Sequence, residues 1–267
     1  MTLQDIWRLP ARAGKRLLRI DMILVPLALV LFIGGWSLLV QWRQYPSFIL
    51  PSPGRVWERF FALLIDGTLA FHTRTTLLEI FGGLGLGLGV ALLTGYGLAK
   101  SPLLEKILSP YIVASQAVPI VALAPLLVIW FGFGWLSKVL VCALTVFFPA
   151  LVNTIVGIRG VDSDLRALMR SLQASRWQTF TLLEVPAALP VLLGGLKVGV
   201  TLAVIGAVVG EFVGANSGLG FLINLARGTL DTPMLFVALF MLVAIAILLY
   251  TAVALLEYIV LAWRRAV

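Results

Sequence analysis

The sequence predicts an all-α polytopic membrane protein with six transmembrane helices. The first observation is composition: the 267 residues are 61% hydrophobic and only 12% charged, whereas a soluble domain carries about twice that charged share. The second is patterning, because the apolar residues fall into six runs that are long enough for a helix to cross the hydrocarbon core, which takes ~20 residues. We therefore expect the bilayer to be the solvent for most of the chain.

The six runs are defined by their length and by the polar or turn-forming residues between them. They cover residues 22–40, 76–98, 111–131, 137–158, 189–213 and 234–262. The first run follows basic residues as a secretory signal would, but it is long enough to span and no small-residue cleavage site follows it. It is predicted to be a retained helix. Pro119, Pro125 and Pro149 are expected to break or kink the third and fourth spans.

The basic residues predict the orientation, because positively charged connections are retained in the cytoplasm. With the N-terminus inside, most of the 20 basic residues are cytoplasmic. This set is Arg8, Arg12, Lys15, Arg16, Arg19, Lys100, Lys106, Arg159, Arg166, Arg170, Arg176, Arg264 and Arg265. The opposite side holds fewer, namely Arg43, Arg55, Arg59, Arg74, Lys138 and Arg227. Both termini are therefore predicted to be cytoplasmic.

Composition also argues against several functional classes. One cysteine, Cys142, and one histidine, His72, leave little material for a metal site or a nucleophile-base pair. The net charge of +8 does not indicate nucleic-acid binding, since the basic residues are scattered rather than gathered into one patch. An ion-coupled secondary transporter would be expected to show carboxylates near mid-depth and a repeat of its spans. Neither feature is evident.

The connection between the first two spans contains an amphipathic segment. Pro51 and Pro53 force an extended backbone before it. Residues 55–65 are then predicted to form a helix along the outer membrane surface, with three aromatic side chains toward lipid: Trp57, Phe60 and Phe61.

The segment 159–188 is unusually polar for this chain and contains a short helical pattern. Asp162, Ser163 or Asp164 is suited to cap its N-terminus. One predicted face is apolar, with Leu165, Leu168, Met169 and Leu172, and the other is polar, with Arg166, Arg170 and Gln173. Periodicity leaves two interpretations open: the helix docks a partner, or it rests on the protein's own membrane domain.

This segment resembles the signature loop of binding-protein-dependent ABC importer permeases. That signature is Glu-Ala-Ala, three residues and a Gly, then nine residues and a hydrophobic-x-hydrophobic-Pro ending. The ending matches at Leu183, Val185 and Pro186, whereas Ala167, Leu168 and Met169 replace Glu-Ala-Ala and Gln173 replaces the Gly.

These departures predict a changed loop. Because Gln173 takes a positive φ less readily than glycine, the bend is expected at residues 174–175 or after a longer helix. Pro186 is expected to break any helix that joins the loop to the next span.

Further segments resemble the branch of this superfamily that imports nitrate, sulfonates, taurine, bicarbonate and some vitamins or vitamin precursors. They include LPSP at 50–53, ALAPLLVIWFGFG at 122–134, and Glu211 ahead of GLG at 218–220. The resemblance extends over nearly the whole chain from residue 50 and implies the type I ABC importer permease fold.

The resemblance also implies a division of labour. The chain would be a transport subunit without a cofactor of its own, in a bacterial cytoplasmic (inner) membrane. Its partners would be a second permease subunit, assumed identical, two ATPase subunits that bind ATP and Mg²⁺, and an extracytoplasmic solute-binding protein. Residues 1–68 would form the tail, first span and interfacial segment, 69–257 the transmembrane domain, and 258–267 the end of the last helix and its tail. The ATPase-coupling residues would be Asp164, Leu165, Arg166, Leu168, Met169, Arg170, Leu172, Gln173 and Pro186.

Glycines and ionisable groups stand out within the spans. The glycines at 82–89 lack the Gly-Lys-Ser/Thr of a phosphate loop, but Gly83 with Gly87, and Gly85 with Gly89, have the small-xxx-small spacing of helix contacts. Ionisable groups at such depth are functional candidates. Glu211 is expected either to line or gate the path or to partner a neighbouring polar group. Lys197 is expected to snorkel to the cytoplasmic interface, and Glu79 to pair with Arg74 or Arg227.

The candidate path comprises Glu211, Trp130, Phe131 and Pro125. A path for a small anion would be expected to show inward Arg or Lys, whereas this one offers a Glu and aromatics. The composition therefore favours a larger, weakly charged or aromatic solute, such as riboflavin or a pyrimidine vitamin precursor. Nitrate, sulfonate or taurine is the alternative.

Overall fold

The structure, a computed structural model, describes residues 11–265, with the side chains of Leu24 and residues 26–263. Eleven α-helices and no strand lie within these residues. Those long and apolar enough to cross a membrane are α1 (Ala11–Arg43), α3 (Thr68–Lys100), α6 (Trp135–Arg159), α9 (Val185–Gly214) and α11 (Thr232–Val260). The others are α2 (Pro53–Ile65), α4 (Pro102–Gln116), α5 (Ile120–Phe131), α7 (Ser163–Ser171), α8 (Arg176–Thr179) and α10 (Leu219–Thr229).

All of the predicted spans except the third lie along single long helices. Five helices qualify alone, and the total rises to six if the bent pair α4 and α5 counts as one span. The predicted tail cations lie outside the described side chains; they are Arg8, Arg12, Lys15, Arg16, Arg19, Arg264 and Arg265.

The third span differs from its prediction. Residues 111–131 do not form one straight helix, because α4 and α5 meet at a bend of 93°. Pro119 is the residue before α5 and has an extended backbone, with ψ 115°, and a residue before proline is itself disfavoured in the helical region. Pro125 and Pro149, by contrast, lie inside unbroken helices. Of the three prolines expected to break a span, only Pro119 does so.

The centre of the bundle is formed by α3, α6 and α9, with α6 packed against both of the others. Glycine makes the approach of α3 to α6 possible, since a Cβ on Gly87 would lie 2.6 Å from the carbonyl oxygen of Ala143 and one on Gly83 would overlap Cys142. This confirms the predicted contact for Gly83 and Gly87. Gly85 and Gly89 have open space around them within the described chain, so the contact predicted for them is not made there.

The predicted interfacial helix is α2. Ser52 caps it from an extended backbone, with ψ 153°, and Pro53 opens its first turn, an arrangement that suits both residues. Trp57 is 63% exposed, and it forms an aromatic cluster with Phe60 and Phe61. An ion pair of 2.6 Å between Arg59 and Asp231 attaches α2 to the start of α11.

Candidate functional site: the polar loop and the bundle interior

The helix predicted in the polar loop is α7. The Asp162 side chain accepts a hydrogen bond of 2.7 Å from the amide of Asp164 and caps the N-terminus. Asp164 lies in the first turn and Arg170 in the last, where each charge is favoured by the helix dipole.

The apolar face of α7 is not covered by the rest of the described chain. Leu165, Leu168 and Leu172 are 46%, 52% and 68% exposed, although Met169 is half-buried. The interpretation in which α7 merely rests on its own membrane domain is therefore not what the structure shows. The face is available to a partner.

The arginines of α7 differ from each other. Arg170 is exposed, as predicted. Arg166 instead turns back and donates a hydrogen bond to the carbonyl oxygen of Ile158. Because Ile158 lies at the end of α6, this cation satisfies a terminal carbonyl and matches the α6 dipole. The expectation that Arg166 shares the outward face with Arg170 is wrong.

The bend after α7 lies at Gln173, with φ +53°, and not at residues 174–175 as expected. Two backbone bonds close it: the amide of Ala174 donates to Met169 and that of Gln173 to Arg170, each at 3.0 Å. These are the two bonds of a Schellman motif. They offset the cost of the left-handed conformation, so the missing glycine does not move the bend.

The loop and the fifth span form one continuous helical segment, Arg176–Gly214. Ser175 and Gln178 form a capping box at its start, and residues Phe180–Glu184 form a π-helical turn before α9. Pro186 was expected to break such a helix, but it lies in the first turn of α9. The wider π-turn, in which Val185 donates to Phe180, changes the bonding just before the proline, so the helix continues.

At the same end of the bundle lies an ion pair with a buried carboxylate, which the sequence did not predict. Glu184, in the π-turn, is 1% exposed and pairs with Lys100 at the end of α3. The only signal in the sequence was a carboxylate between the apolar residues Leu183 and Val185.

At the other end of the bundle, Glu211 is 1% exposed and lies among hydrogen-bond donors. The Thr76 hydroxyl donates to its Oε1 at 2.6 Å, and the Gly220 amide donates to its Oε2. The adjoining amides are also paired, that of Leu219 with Thr76 Oγ1 at 2.8 Å and that of Gly218 with His72 Nδ1 at 2.9 Å. Three side chains from α3 and α9 thus hold the N-terminus of α10.

Glycine is required at position 218, where the Glu211 carboxyl group lies against the backbone. Gly218 has φ +113°, and a Cβ there would overlap the Glu211 carboxyl group. The sequence motif of Glu211 followed by Gly218-Leu219-Gly220 is therefore explained by packing. The Glu211 carboxylate lies in direct contact with the N-terminus of α10. Of the two roles expected for Glu211, the described chain shows the polar partner; the path role stays a prediction.

Two further charges lie next to this cluster. Glu79 is 2% exposed and adjoins Glu211, so the expected pairing with Arg74 or Arg227 is wrong. Lys138, assigned above to a connection, is also 2% exposed, and its ammonium donates to the carbonyls of Phe133, Gly134 and Gly214. Gly214 is the last residue of α9, where a cation is favoured, and the other two carbonyls belong to the connection between α5 and α6.

The remaining candidate residues are placed as follows. Trp130 and Phe131 are 68% and 48% exposed at the end of α5, and Pro125 is also exposed. Whether they line a path stays a prediction. Lys197 forms an ion pair with Glu257 of α11.

Membrane-crossing helices joined by a polar loop that presents an uncovered amphipathic helix define a transport permease of the ABC class. The family described as "Binding-protein-dependent transport system inner membrane component" matches residues 83–265, and the chain belongs to this family. It is the permease subunit of an ATP-driven importer. It is a multi-pass membrane protein that serves as the transport subunit and not as an enzyme.

Three relatives illustrate the range of the family. The riboflavin transport system permease protein of Chloroflexus aurantiacus is 48% identical over 91% of this chain and 90% of its own length. The formylaminopyrimidine transport permease protein of Halalkalibacterium halodurans is 38% identical over 86% of this chain and 91% of its own. A putative aliphatic sulfonates transport permease protein of Bacillus subtilis is 32% identical over 86% and 84%. All three fall in the branch that the sequence motifs indicated.

Proposed function

We propose that this permease forms the membrane path for riboflavin or a chemically similar aromatic heterocycle. The observation that carries the proposal is the 48% identity to a riboflavin permease over 91% of the chain. The exposed aromatic side chains at the end of α5, such as Trp130, supply surfaces on which a planar ring stacks favourably.

The charges within the spans support the same class of solute. Lys138 is held by three backbone carbonyls and Lys197 by Glu257, so neither ammonium of these two lysines is left over for an anion. A sulfonate or nitrate would need such a group. The alternative, import of a sulfonate, is supported by the 32% identity to the Bacillus subtilis protein.

In the assembly we propose, two copies of this chain pack together. Two ATPase subunits, which hold ATP and Mg²⁺, dock beneath them, and an extracytoplasmic binding protein delivers the solute. Both termini and the loop 159–188 face the cytoplasm of a bacterial cell, in agreement with the excess of basic residues in those segments.

Within this assembly, α7 is the element that contacts the ATPase subunit. Its uncovered leucines offer an apolar anchor and Arg170 a charge at the rim, a combination typical of protein interfaces. The Schellman bend at Gln173 and the capping box at Ser175 hold α7 at a fixed angle to the helix that continues into the membrane.

Uptake into proteoliposomes tests the solute. The permease is reconstituted with its ATPase subunits, and uptake of labelled riboflavin is measured with the binding protein present and with ATP inside or outside. We expect uptake only when ATP is on the side of loop 159–188. An ATPase variant that binds but does not hydrolyse ATP is the control. Uptake of taurine or an alkyl sulfonate without uptake of riboflavin would establish the alternative.

A further inference from the structure

Four side chains connect the polar loop to α3 at the end of the bundle. Two lie one turn apart on α3, Tyr96 and Lys100, and two lie one turn apart in the π-turn, Phe180 and Glu184. We call these four residues the clasp. The Tyr96 hydroxyl donates to Glu184 Oε2 at 3.2 Å, and Lys100 forms an ion pair with Glu184.

The clasp also has an aromatic half. The rings of Tyr96 and Phe180 meet edge to face at 5.2 Å between centroids, and the Lys100 ammonium lies 5.3 Å from the Tyr96 ring. Each α3 residue therefore contacts the π-turn and its own neighbour. Such edge and cation contacts have preferred geometries, so they fix orientation as well as distance.

The charged pair at the centre of the clasp is not explained by stability. Glu184 is 1% exposed, and removing a carboxylate from water is costly even when it is paired. Apolar side chains of similar size often stabilise such a position at least as well. A pair with a buried carboxylate is, however, directional, because Glu184 loses its partners if the π-turn and α3 move apart.

The clasp lies between the polar loop and the membrane-spanning helices. The π-turn lies between the polar loop and the fifth span in one continuous helix, Arg176–Gly214, and π-turns are frequent at functional sites. On the other side, α3 runs to His72 and Thr76, which hold the start of α10. The clasp therefore joins the π-turn to one end of α3, and the buried cluster lies at the other end of the same helix.

An apolar groove lies directly beside the clasp. Its volume is about 670 Å³, and Tyr96, Trp177 and Phe180 are among the residues that line it. The π-turn is thus not packed on every side within this chain, which leaves room for its aromatic side chains to shift.

We propose that Glu184, through its pair with Lys100, is a positioning residue that transmits movement of the coupling loop to α3 during transport. The inference rests on the proposed docking of an ATPase subunit at α7. It concerns the yield of transport for each ATP hydrolysed, and not the docking itself.

The test compares substitutions of the pair in the reconstituted full transporter. Glu184→Gln keeps the size of the side chain and an acceptor for Tyr96 but removes the charge, and Lys100→Met removes the cation. Glu257→Gln, which breaks the separate pair with Lys197, is the matched control. ATP hydrolysis and solute uptake are measured in the same vesicles.

We expect Glu184→Gln and Lys100→Met to retain the ATPase subunits and to lower the solute transported per ATP. The decrease lies within the roughly two- to thirtyfold range of single contacts in coupled networks. Lys100→Arg, which keeps the cation, should retain most of the solute transported per ATP. Glu257→Gln should leave the ratio unchanged.

An unchanged ratio in both Glu184→Gln and Lys100→Met would overturn the inference, as would a loss confined to the amount of ATPase bound. If Glu184→Gln does not reach the membrane, Lys100→Met decides, because Lys100 ends its helix with a side chain 43% exposed. Failure of the proposed function is recognised separately, since the unaltered transporter would then show no ATP-driven uptake.

Discussion

The hydroxyl of Thr76 donates to Oε1 of Glu211 across 2.6 Å and joins α3 to α9 inside the bundle. The Thr76 hydroxyl oxygen also accepts a hydrogen bond from the amide of Leu219, so this one side chain of α3 is bonded to both α9 and α10. The first amides of a helix need partners and favour a negative charge nearby. Glu211 therefore fixes where α10 begins, and a role in the path must be separated from this one by experiment.

Glu211→Ala should destabilise the protein by about 3 kcal/mol, because it leaves the Thr76 hydroxyl and the Gly220 amide buried without their partner. Glu211→Gln should cost only about 1 kcal/mol, since its amide oxygen still accepts. Thermal unfolding of the purified protein in detergent measures both changes, and Glu58→Gln on the exposed face of α2 is the control. Equal stability of Glu211→Ala and the parent would refute the capping role. A normal stability but altered uptake in Glu211→Gln would support a role in the path.

The elements that the sequence predicted are those determined by local patterns. The spans corresponding to α3, α6, α9 and α11 follow from length and hydropathy, and α7 from its cap and its apolar period. Lys138 and Glu79 were misplaced because a charge near the end of a span has the same pattern whether it faces water or the interior. Only the folded chain shows that Lys138 reaches the carbonyl of Gly214, 76 residues away. Gln173 was misjudged because single-residue propensity gave no account of the two backbone bonds that close its bend.

The glycines of α3 provide a matched pair for testing helix packing. Gly87→Ala should destabilise the protein by about 1–3 kcal/mol, since overpacked cores lose that much and the new methyl would lie 2.6 Å from the carbonyl oxygen of Ala143. Gly85→Ala, two residues away with open space around it, should be neutral or gain about 0.5–1 kcal/mol from helix propensity. Melting temperatures in detergent distinguish the two.

The comparison is informative in either direction. Equal destabilisation by both substitutions would show that the face of Gly85 is also packed in the assembled protein, for example against the second permease subunit. The measurement on the isolated permease and on the full complex separates these cases, because only the complex contains that contact.

Gln173→Gly should stabilise the bend after α7 by about 1 kcal/mol, because glycine adopts the φ of +53° without the steric cost that a side chain incurs there. Gln173→Val should destabilise it by more than that, since β-branched residues fit the left-handed region worst. Resistance of the loop to limited proteolysis reports its stability. Gln178→Gly, which removes the capping box instead, is the control for a destabilised loop and should be cleaved faster than the parent. Faster cleavage in Gln173→Gly than in the parent would contradict the bend described here.

The two arginines of α7 should respond differently to charge reversal. Arg170 is exposed, so Arg170→Glu should weaken binding of the ATPase subunit by about fivefold or more, as expected when an interfacial charge loses its partner, while the isolated permease keeps its stability. Arg166 donates to the carbonyl of Ile158, so Arg166→Glu should instead destabilise the permease itself, because it places a carboxylate at the negative end of α6.

Co-purification of the ATPase subunit and thermal unfolding of the permease measure the two effects, with Arg55→Glu on the exposed face of α2 as the control. Full ATPase binding by Arg170→Glu would remove this arginine from the interface, and undiminished stability of Arg166→Glu would show that the bond to Ile158 does not secure the loop.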